Sequence, residues 1–77
     1  MSSQTLDKLP AGASGTVLDV GGEPALQQRL LEMGVLPGIE VKVVRFAPLG
    51  DPMEIKVMGY SLSLRKAEAA HVTVERA

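Results

Sequence analysis

The 77-residue sequence has no cysteine, no tryptophan and only two aromatic residues, Phe46 and Tyr60. Without cysteine it has neither a disulfide framework nor a thiolate metal site, and two aromatic rings are too few for a base-stacking platform. Eight basic residues against nine acidic ones give a net charge of −1. A nucleic-acid-binding domain is usually basic, because neutralising phosphates supplies most of its affinity. We therefore expect no nucleic-acid partner.

Long apolar segments are also missing from the sequence. No run approaches the roughly 18 residues of a membrane span, and the N-terminus has no charged segment followed by an apolar one. We therefore expect a cytoplasmic protein without direct membrane insertion. The length is that of one small domain. Residues 6–77 should form it, whereas residues 1–5 are small and polar and are expected to be disordered.

The groups that catalysis or metal binding would need are scarce. The sequence has one histidine and no serine-centred nucleophile motif, and Gly21-Gly22 lacks the residues of a phosphate-binding loop. On a strand, His71 and Glu75 would stand about 13 Å apart, too far to chelate one ion. We therefore expect no enzyme, no cofactor and no metal site.

The most informative stretch runs from residue 30 to residue 39. Gly34 follows a run of helix-forming residues and predicts the end of a helix at positive φ. Leu30 and Val35 occupy the positions of the apolar contact in a Schellman cap. Pro37 and Gly38 then predict a type II turn, because proline presets the first central φ and glycine allows a positive second one.

Hydrophobic periodicity predicts one helix and five short strands. The helix begins at Pro24, runs for about ten residues and buries a stripe that includes Leu26, Leu30 and Met33. Alternating apolar residues predict strands over residues 16–20, 40–46, 53–57, 60–64 and 72–74. In the first strand, Thr16, Leu18 and Val20 are expected to share one face.

Two details of the strands indicate how the sheet closes. The segment 40–46 changes its buried face midway, which predicts a bulge. Met58-Gly59 predicts a two-residue hairpin connection, with Gly59 at positive φ. Five short strands with one short helix after the first favour a mainly β fold, a small, partly open barrel that hides its sheet edges.

The loop over residues 47–52 resists a purely structural interpretation. Leu49 is apolar at an expected loop tip, between Pro48 and Pro52, which stiffen the loop. A stiff loop with an apolar tip suits partner docking, because little entropy is lost on binding. The alternative is that Leu49 folds back onto the barrel, and the sequence leaves both open.

With these residues in view, the chain resembles the FeoA family of small ferrous-iron-transport accessory proteins. The resemblance rests mainly on three segments, Arg29-Leu-Leu-Glu-Met-Gly-Val-Leu-Pro-Gly38, Ala47-Pro-Leu-Gly-Asp-Pro52 and Leu62-x-Leu-Arg-Lys-x-Glu-Ala69. It implies an SH3-like β-barrel, in agreement with the periodicity. It also implies a cytosolic protein that acts with FeoB, a membrane ferrous-iron transporter with a GTP-binding domain.

The expected function is therefore that of a non-enzymatic adaptor that binds the cytosolic part of an FeoB-like transporter and modulates its assembly or activity. The expected partner-binding residues are Leu49, Asp51 and Pro52, together with Arg29, Leu36 and Pro37 if the helix corner packs beside the loop. The glycines and proline of the turns, Gly34, Pro37, Gly38 and Gly59, are expected to be structural. The alternative is a metal-responsive regulatory module that senses Fe²⁺ or a similar divalent cation through carboxylates and His71. Self-association is left open.

Overall fold

A computed structural model describes residues 3–77 as one six-stranded antiparallel sheet with strand order β1-β6-β2-β3-β4-β5. The elements in chain order are β1 (Ser3–Thr5), a 3-10 turn (Leu6–Lys8), β2 (Ser14–Val20), α1 (Pro24–Glu32), β3 (Glu40–Phe46), β4 (Met53–Val57), β5 (Tyr60–Leu64), α2 (Lys66–Ala69) and β6 (Val72–Arg76). The predicted mainly β fold with one short α-helix is confirmed, with α2 as a single additional turn.

Strand β1 was not predicted, and it corrects the expectation that residues 1–5 are disordered. Residues 3–5 pair with β6, with Ser3 opposite Glu75 and Thr5 opposite Thr73. Leu6 and Leu9, which follow, are fully buried and anchor the segment. This polar segment is ordered by backbone pairing with β6, which amino-acid composition does not reveal. Met1 and Ser2 lie outside the described residues, and α1 follows the second strand rather than the first.

The core consists entirely of apolar side chains. Strands β2, β3, β4, β5 and β6, both helices and the loops all contribute side chains to it. Val41, Ile55 and Val57 are fully buried in the centre of the sheet. Burial of each such side chain contributes about 1.5–3 kcal/mol. In the described part of the chain no polar or charged side chain is buried, so polar chemistry is confined to the surface.

Within residues 3–77, two strands carry bulges. In β3 the register shifts between Val43 and Arg45, as the change of face predicts, and Phe46 then packs against the core. In β2 a shift between Val17 and Asp19 makes Leu18 the extra residue. The expectation that Thr16, Leu18 and Val20 share one face is therefore wrong.

The buried residues of β2 are Val17 and Val20, whereas Leu18 is 45% exposed. A bulge inserts one residue and so moves the next side chains to the other face of the strand. Both bulges thus let a strand keep apolar groups inside at a spacing that strict alternation would not allow.

The connections that shape the helix corner are local. Val35 N–H donates to the Leu30 carbonyl at 3.0 Å and Gly34 N–H donates to the Leu31 carbonyl at 3.1 Å, which is the Schellman pattern. Gly34 has a φ of +94°. In the next turn Gly38 has a φ of +92°, and Ile39 N–H donates to the Leu36 carbonyl at 3.1 Å.

Candidate functional site: the 47–52 loop and the α1–β5 depression

The loop that joins β3 to β4 is closed by its own backbone. Ala47 N–H donates to the Pro52 carbonyl at 2.9 Å, and Gly50 N–H donates to the Ala47 carbonyl at 2.7 Å. Gly50 is the last residue of this turn and has a φ of +91°. At the tip the Leu49 side chain is 96% exposed. The sequence left two interpretations of Leu49 open. In the structure its side chain is directed into solvent and is not folded onto the barrel.

The same loop is tied to α2. An Asp51 carboxylate oxygen accepts a hydrogen bond from Lys66 N–H at 2.9 Å. The Lys66 ammonium lies 5.0 Å from the centre of the Phe46 ring, within cation–π distance. Asp51 thus satisfies the first backbone donor of a short helix. This role was not predicted from the sequence, because the two residues lie 15 positions apart.

A second carboxylate links the two helices. Glu68 accepts the Arg65 N–H through one oxygen at 3.0 Å and forms an ion pair with Arg29 through the other. The Arg29 side chain is 53% exposed and that of Glu68 is 22% exposed. Glu68 was not among the site residues predicted from the sequence. An acidic residue three positions after a helix start is nevertheless half of a capping box, a signal that could have indicated it.

These residues surround a shallow depression between α1 and β5. It has a volume of about 330 Å³ and is lined by Arg29, Met33, Pro52, Ser63, Arg65 and Glu68. It therefore brings together two of the residues expected to bind a partner, Arg29 and Pro52. Leu49 and Asp51 lie in the adjoining loop. We call this surface the α1–β5 depression.

The Leu36–Pro37 turn lies elsewhere, at the other end of β4. The Tyr60 hydroxyl donates to the Met33 carbonyl, and a Cβ at Gly34 would stand 2.9 Å from the Met58 methyl group. The helix corner therefore packs on the β4–β5 hairpin tip. The 47–52 loop precedes the opposite end of β4, about 13 Å away over four residue steps.

The six residues expected to bind a partner thus fall into two groups. Arg29 lies with the 47–52 loop, as expected, but Leu36 and Pro37 lie with the hairpin tip. Leu36 is 38% exposed. The two groups can act together only on a partner that reaches along the length of β4.

An exposed ion pair flanks the loop on the β3–β4 side. Arg45 Nε donates to a Glu54 carboxylate oxygen at 2.8 Å. This hydrogen bond is the main reason why the pKa of Glu54 lies below its ordinary value of 4.5, with the charge of Arg45 and a hydrogen bond from Ser61 acting in the same direction and desolvation opposing them. Glu54 is therefore ionised at neutral pH.

The surface near His71 bears on the alternative, metal-responsive function, which requires a metal site. The His71 carbonyl accepts the Gly21 N–H at 2.8 Å, and the residue itself is exposed. Across residues 3–77, no three histidine, cysteine, aspartate or glutamate side chains come together to hold a metal ion. Nor does this part of the chain contain a helix with the length and apolar character needed to span a bilayer.

Six antiparallel strands around one apolar core, with a short helix between β2 and β3, define a small SH3-like β-barrel domain. The FeoA protein of Stenotrophomonas maltophilia, a prokaryotic SH3 domain protein solved in complex with zinc, matches with a TM-score of 0.82 and 34% identity over 94% of this chain and 89% of that one. The FeoA protein of Chlorobium tepidum matches with a TM-score of 0.89 and 42% identity over 95% of this chain and 70% of that one.

The family model for the FeoA domain matches residues 4–76. The chain therefore belongs to the FeoA family. A fusion of Fe(2+) transport protein A with the Fe(2+) transporter FeoB, from Porphyromonas gingivalis, is 39% identical over 70 residues. That match covers 91% of this chain and 8% of the relative's length. The family is thus linked to ferrous iron transport, as an accessory domain and not as a known family of enzymes.

Proposed function

We propose that this protein is a non-enzymatic cytosolic accessory of ferrous iron transport that binds the cytosolic, GTP-binding part of an FeoB-like transporter and modulates its assembly or activity. The observation that carries the proposal is the relative in which an FeoA part and FeoB share one polypeptide. Joining two domains in one chain raises their effective concentration, which is useful where they act in contact.

The proposed contact surface consists of the 47–52 loop and the α1–β5 depression. Leu49 is almost fully exposed on a loop closed by two backbone hydrogen bonds. A loop that is ordered before binding loses little entropy on docking, and burial of one leucine contributes about 1.5–3 kcal/mol. Leu49 therefore has the exposure and the support expected of a docking residue.

The test is an NMR titration of the labelled protein with the isolated cytosolic domain of an FeoB-type transporter, with GTP, with GDP and without nucleotide. We expect shifts in the 47–52 loop and around Arg29. Leu49→Ser should weaken binding about tenfold or more, because burial of the apolar side chain is lost. The matched control is Leu18→Ser, which changes another exposed leucine, located on β2.

The controls decide what each result means. If the wild-type protein produces no shifts at high micromolar concentrations of the domain, the proposed partner is wrong. If Leu49→Ser and Leu18→Ser bind equally well, the proposed surface is wrong. Asp51 is a poorer probe because its carboxylate holds the Lys66 N–H, so its substitution changes the loop as well as the surface charge.

The second candidate is a metal-responsive module, which is favoured by the Stenotrophomonas relative solved with zinc. Anaerobic calorimetry with Fe²⁺ or Mn²⁺ tests it directly. Micromolar binding that is lost in His71→Ala would support the metal-responsive function. Absence of heat at millimolar metal would refute it without bearing on the adaptor.

A further inference from the structure

Strand β5 is an open edge of the sheet, contrary to the expectation of hidden edges, and α1 flanks it across the α1–β5 depression. It ends the strand order, and its only strand partner in the described part of the chain is β4. Its sequence, Tyr-Ser-Leu-Ser-Leu, has no charge, no proline and no bulge, which are the usual devices that prevent an edge from pairing. The opposite edge, β1, has three residues within the described part of the chain. Of the two edges, β5 therefore offers the longer template for pairing.

The hairpin register identifies the backbone groups that this edge offers. Met58 and Gly59 both have positive φ and form a two-residue turn, so Val57 and Tyr60 are the hydrogen-bonded pair that closes it. Hydrogen-bonded and non-hydrogen-bonded pairs alternate along an antiparallel ladder. The N–H and C=O groups of Ser61 and Ser63 therefore point away from β4.

These outward groups have no backbone partner within residues 3–77. None of the backbone hydrogen bonds formed in turns, loops and caps involves Ser61 or Ser63. Both residues are exposed. The edge thus presents two donors and two acceptors at the spacing that an added strand would match, about 4.8 Å from β5.

The charges around the edge indicate which kind of strand fits. The α1–β5 depression lies beside Ser63 and contains Arg29, Arg65 and Glu68. Glu68 is already paired with Arg29. The Arg65 guanidinium has no carboxylate within 4.0 Å among the described residues. One uncompensated positive charge therefore remains at the Leu64 end of the edge.

The other end of the edge is apolar. Tyr60 is 45% exposed and Met58 is 60% exposed. An edge that is apolar at one end and cationic at the other is complementary to an extended segment with an apolar residue and a carboxylate at matching ends.

We infer that β5 binds an extended segment of the transporter's cytosolic part by strand addition, with an acidic side chain of that segment on Arg65. In this mode the main-chain bonds supply affinity and the flanking side chains supply specificity. The inference rests on the proposed function and specifies how the partner is held. It adds Ser61, Ser63 and Arg65 to the contact surface, none of which was predicted from the sequence.

The test compares Ser63→Pro with Ser63→Ala in titrations with the isolated FeoB cytosolic domain. Proline removes the outward N–H and is tolerated on an edge strand, whereas alanine removes only the hydroxyl. We expect Ser63→Pro to weaken binding about tenfold and Ser63→Ala to change it less than about threefold. Arg65→Glu should also weaken binding, and more strongly at low salt than at high salt.

Amide hydrogen exchange provides a readout that needs no variant. The Ser61 and Ser63 amides should exchange rapidly in the free protein and become protected in the complex. If the domain binds while these amides stay unprotected, or if Ser63→Pro and Ser63→Ala bind alike, strand addition is refuted and the accessory function stands. If the domain does not bind at all, both fail. A homodimer that Ser63→Pro abolishes would assign the edge to a second copy of this chain and overturn the inference.

Discussion

Gly34 offers the sharpest test of how the helix corner is held. It occupies the left-handed region, with a φ of +94°. An alanine Cβ at this position would lie 2.9 Å from the Met58 methyl carbon and 3.1 Å from the Tyr60 hydroxyl oxygen. Gly34→Ala should therefore destabilise the protein through backbone conformation and through contact with the hairpin tip.

The two contributions can be estimated separately. A non-glycine residue in the left-handed region costs about 1–2 kcal/mol. The Met58 side chain is 60% exposed, so its end can move at little cost. The Tyr60 hydroxyl, however, donates to the Met33 carbonyl, and loss of that hydrogen bond costs about 0.5–1.5 kcal/mol. Gly34→Ala should therefore lower the free energy of unfolding by about 1.5–3.5 kcal/mol.

Gly38→Ala is the matched control. Gly38 has a similar φ of +92°, but a Cβ there would meet nothing within 4 Å. Its cost should be the conformational one alone, about 1–2 kcal/mol. Urea unfolding followed by circular dichroism measures both variants, and each kcal/mol should also lower Tm by about 4–8 °C.

The comparison can refute the reasoning in two ways. If Gly34→Ala is as stable as wild type, the positive φ and the Schellman cap do not matter. If the two variants lose the same stability, the contact with the hairpin tip contributes nothing. In the latter case Tyr60→Phe, which removes the hydroxyl in advance, would also fail to reduce the cost of Gly34→Ala.

Two further predictions concern surface carboxylates. Glu68→Ala should cost about 0.5–1.5 kcal/mol in urea unfolding, whereas Arg29→Ala should cost at most about 1 kcal/mol, because Glu68 also accepts a backbone N–H; equal losses would contradict this. NMR titration should show the pKa of Glu54 below 4.5 and rising in Arg45→Gln. A carboxyl group whose pKa is lower in the folded state stabilises that state at pH values above its unfolded-state pKa. Any greater free energy of unfolding of wild type relative to Arg45→Gln should therefore disappear as the pH falls through the native pKa of Glu54. A difference in stability that persists at lower pH would contradict this.

The features that the sequence predicted are those decided over a few neighbouring residues. The cap at Gly34 and the turn at Gly38 each need one positive φ, and the hairpin turn needs two, at Met58 and Gly59. In each of these short motifs a glycine marks the position. The bulge in β3 was also predictable, because apolar residues occur on both faces of the same short strand.

The bulge in β2 could not be predicted in this way. Residues 16–20 alternate regularly, and the pattern puts Thr16, Leu18 and Val20 together on the buried face. In the structure Val17 is buried and Leu18 is exposed. The deciding contact is the pairing with β6, where the register passes from Val17–Val74 to Asp19–Thr73. A register set by a strand more than 50 positions away leaves no mark in the local period.

The candidate site was predicted only in part for the same reason. Loop composition places an apolar residue, Leu49, at the loop tip, but its exposure is known only from the structure. The contacts that place it, Asp51 with Lys66 and Arg29 with Glu68, join residues 15 and 39 positions apart. The Leu36–Pro37 turn was grouped with the loop on the condition that the helix corner packs beside it, and local sequence patterns do not determine that packing.

The loop depends on a helix that is too short to be stable by itself. Helix α2 has four residues, and an isolated turn of this length does not persist in water. Its first N–H groups are instead held by carboxylates, Asp51 on Lys66 and Glu68 on Arg65. Order in α2 and order in the 47–52 loop should therefore be coupled.

Lys66→Pro tests this coupling. Proline suits the first position of a helix, and the preceding Arg65 already has an extended backbone with a φ of −71° and a ψ of 147°. The substitution therefore removes the N–H that Asp51 binds while remaining compatible with the helix. Lys66→Ala is the control, because it loses the ammonium over Phe46 but keeps the N–H. We expect ¹⁵N relaxation to show increased motion at Leu49 and Gly50 in Lys66→Pro and much less in Lys66→Ala. Equal order in both variants would mean that the loop's own backbone hydrogen bonds suffice to hold Leu49 in place.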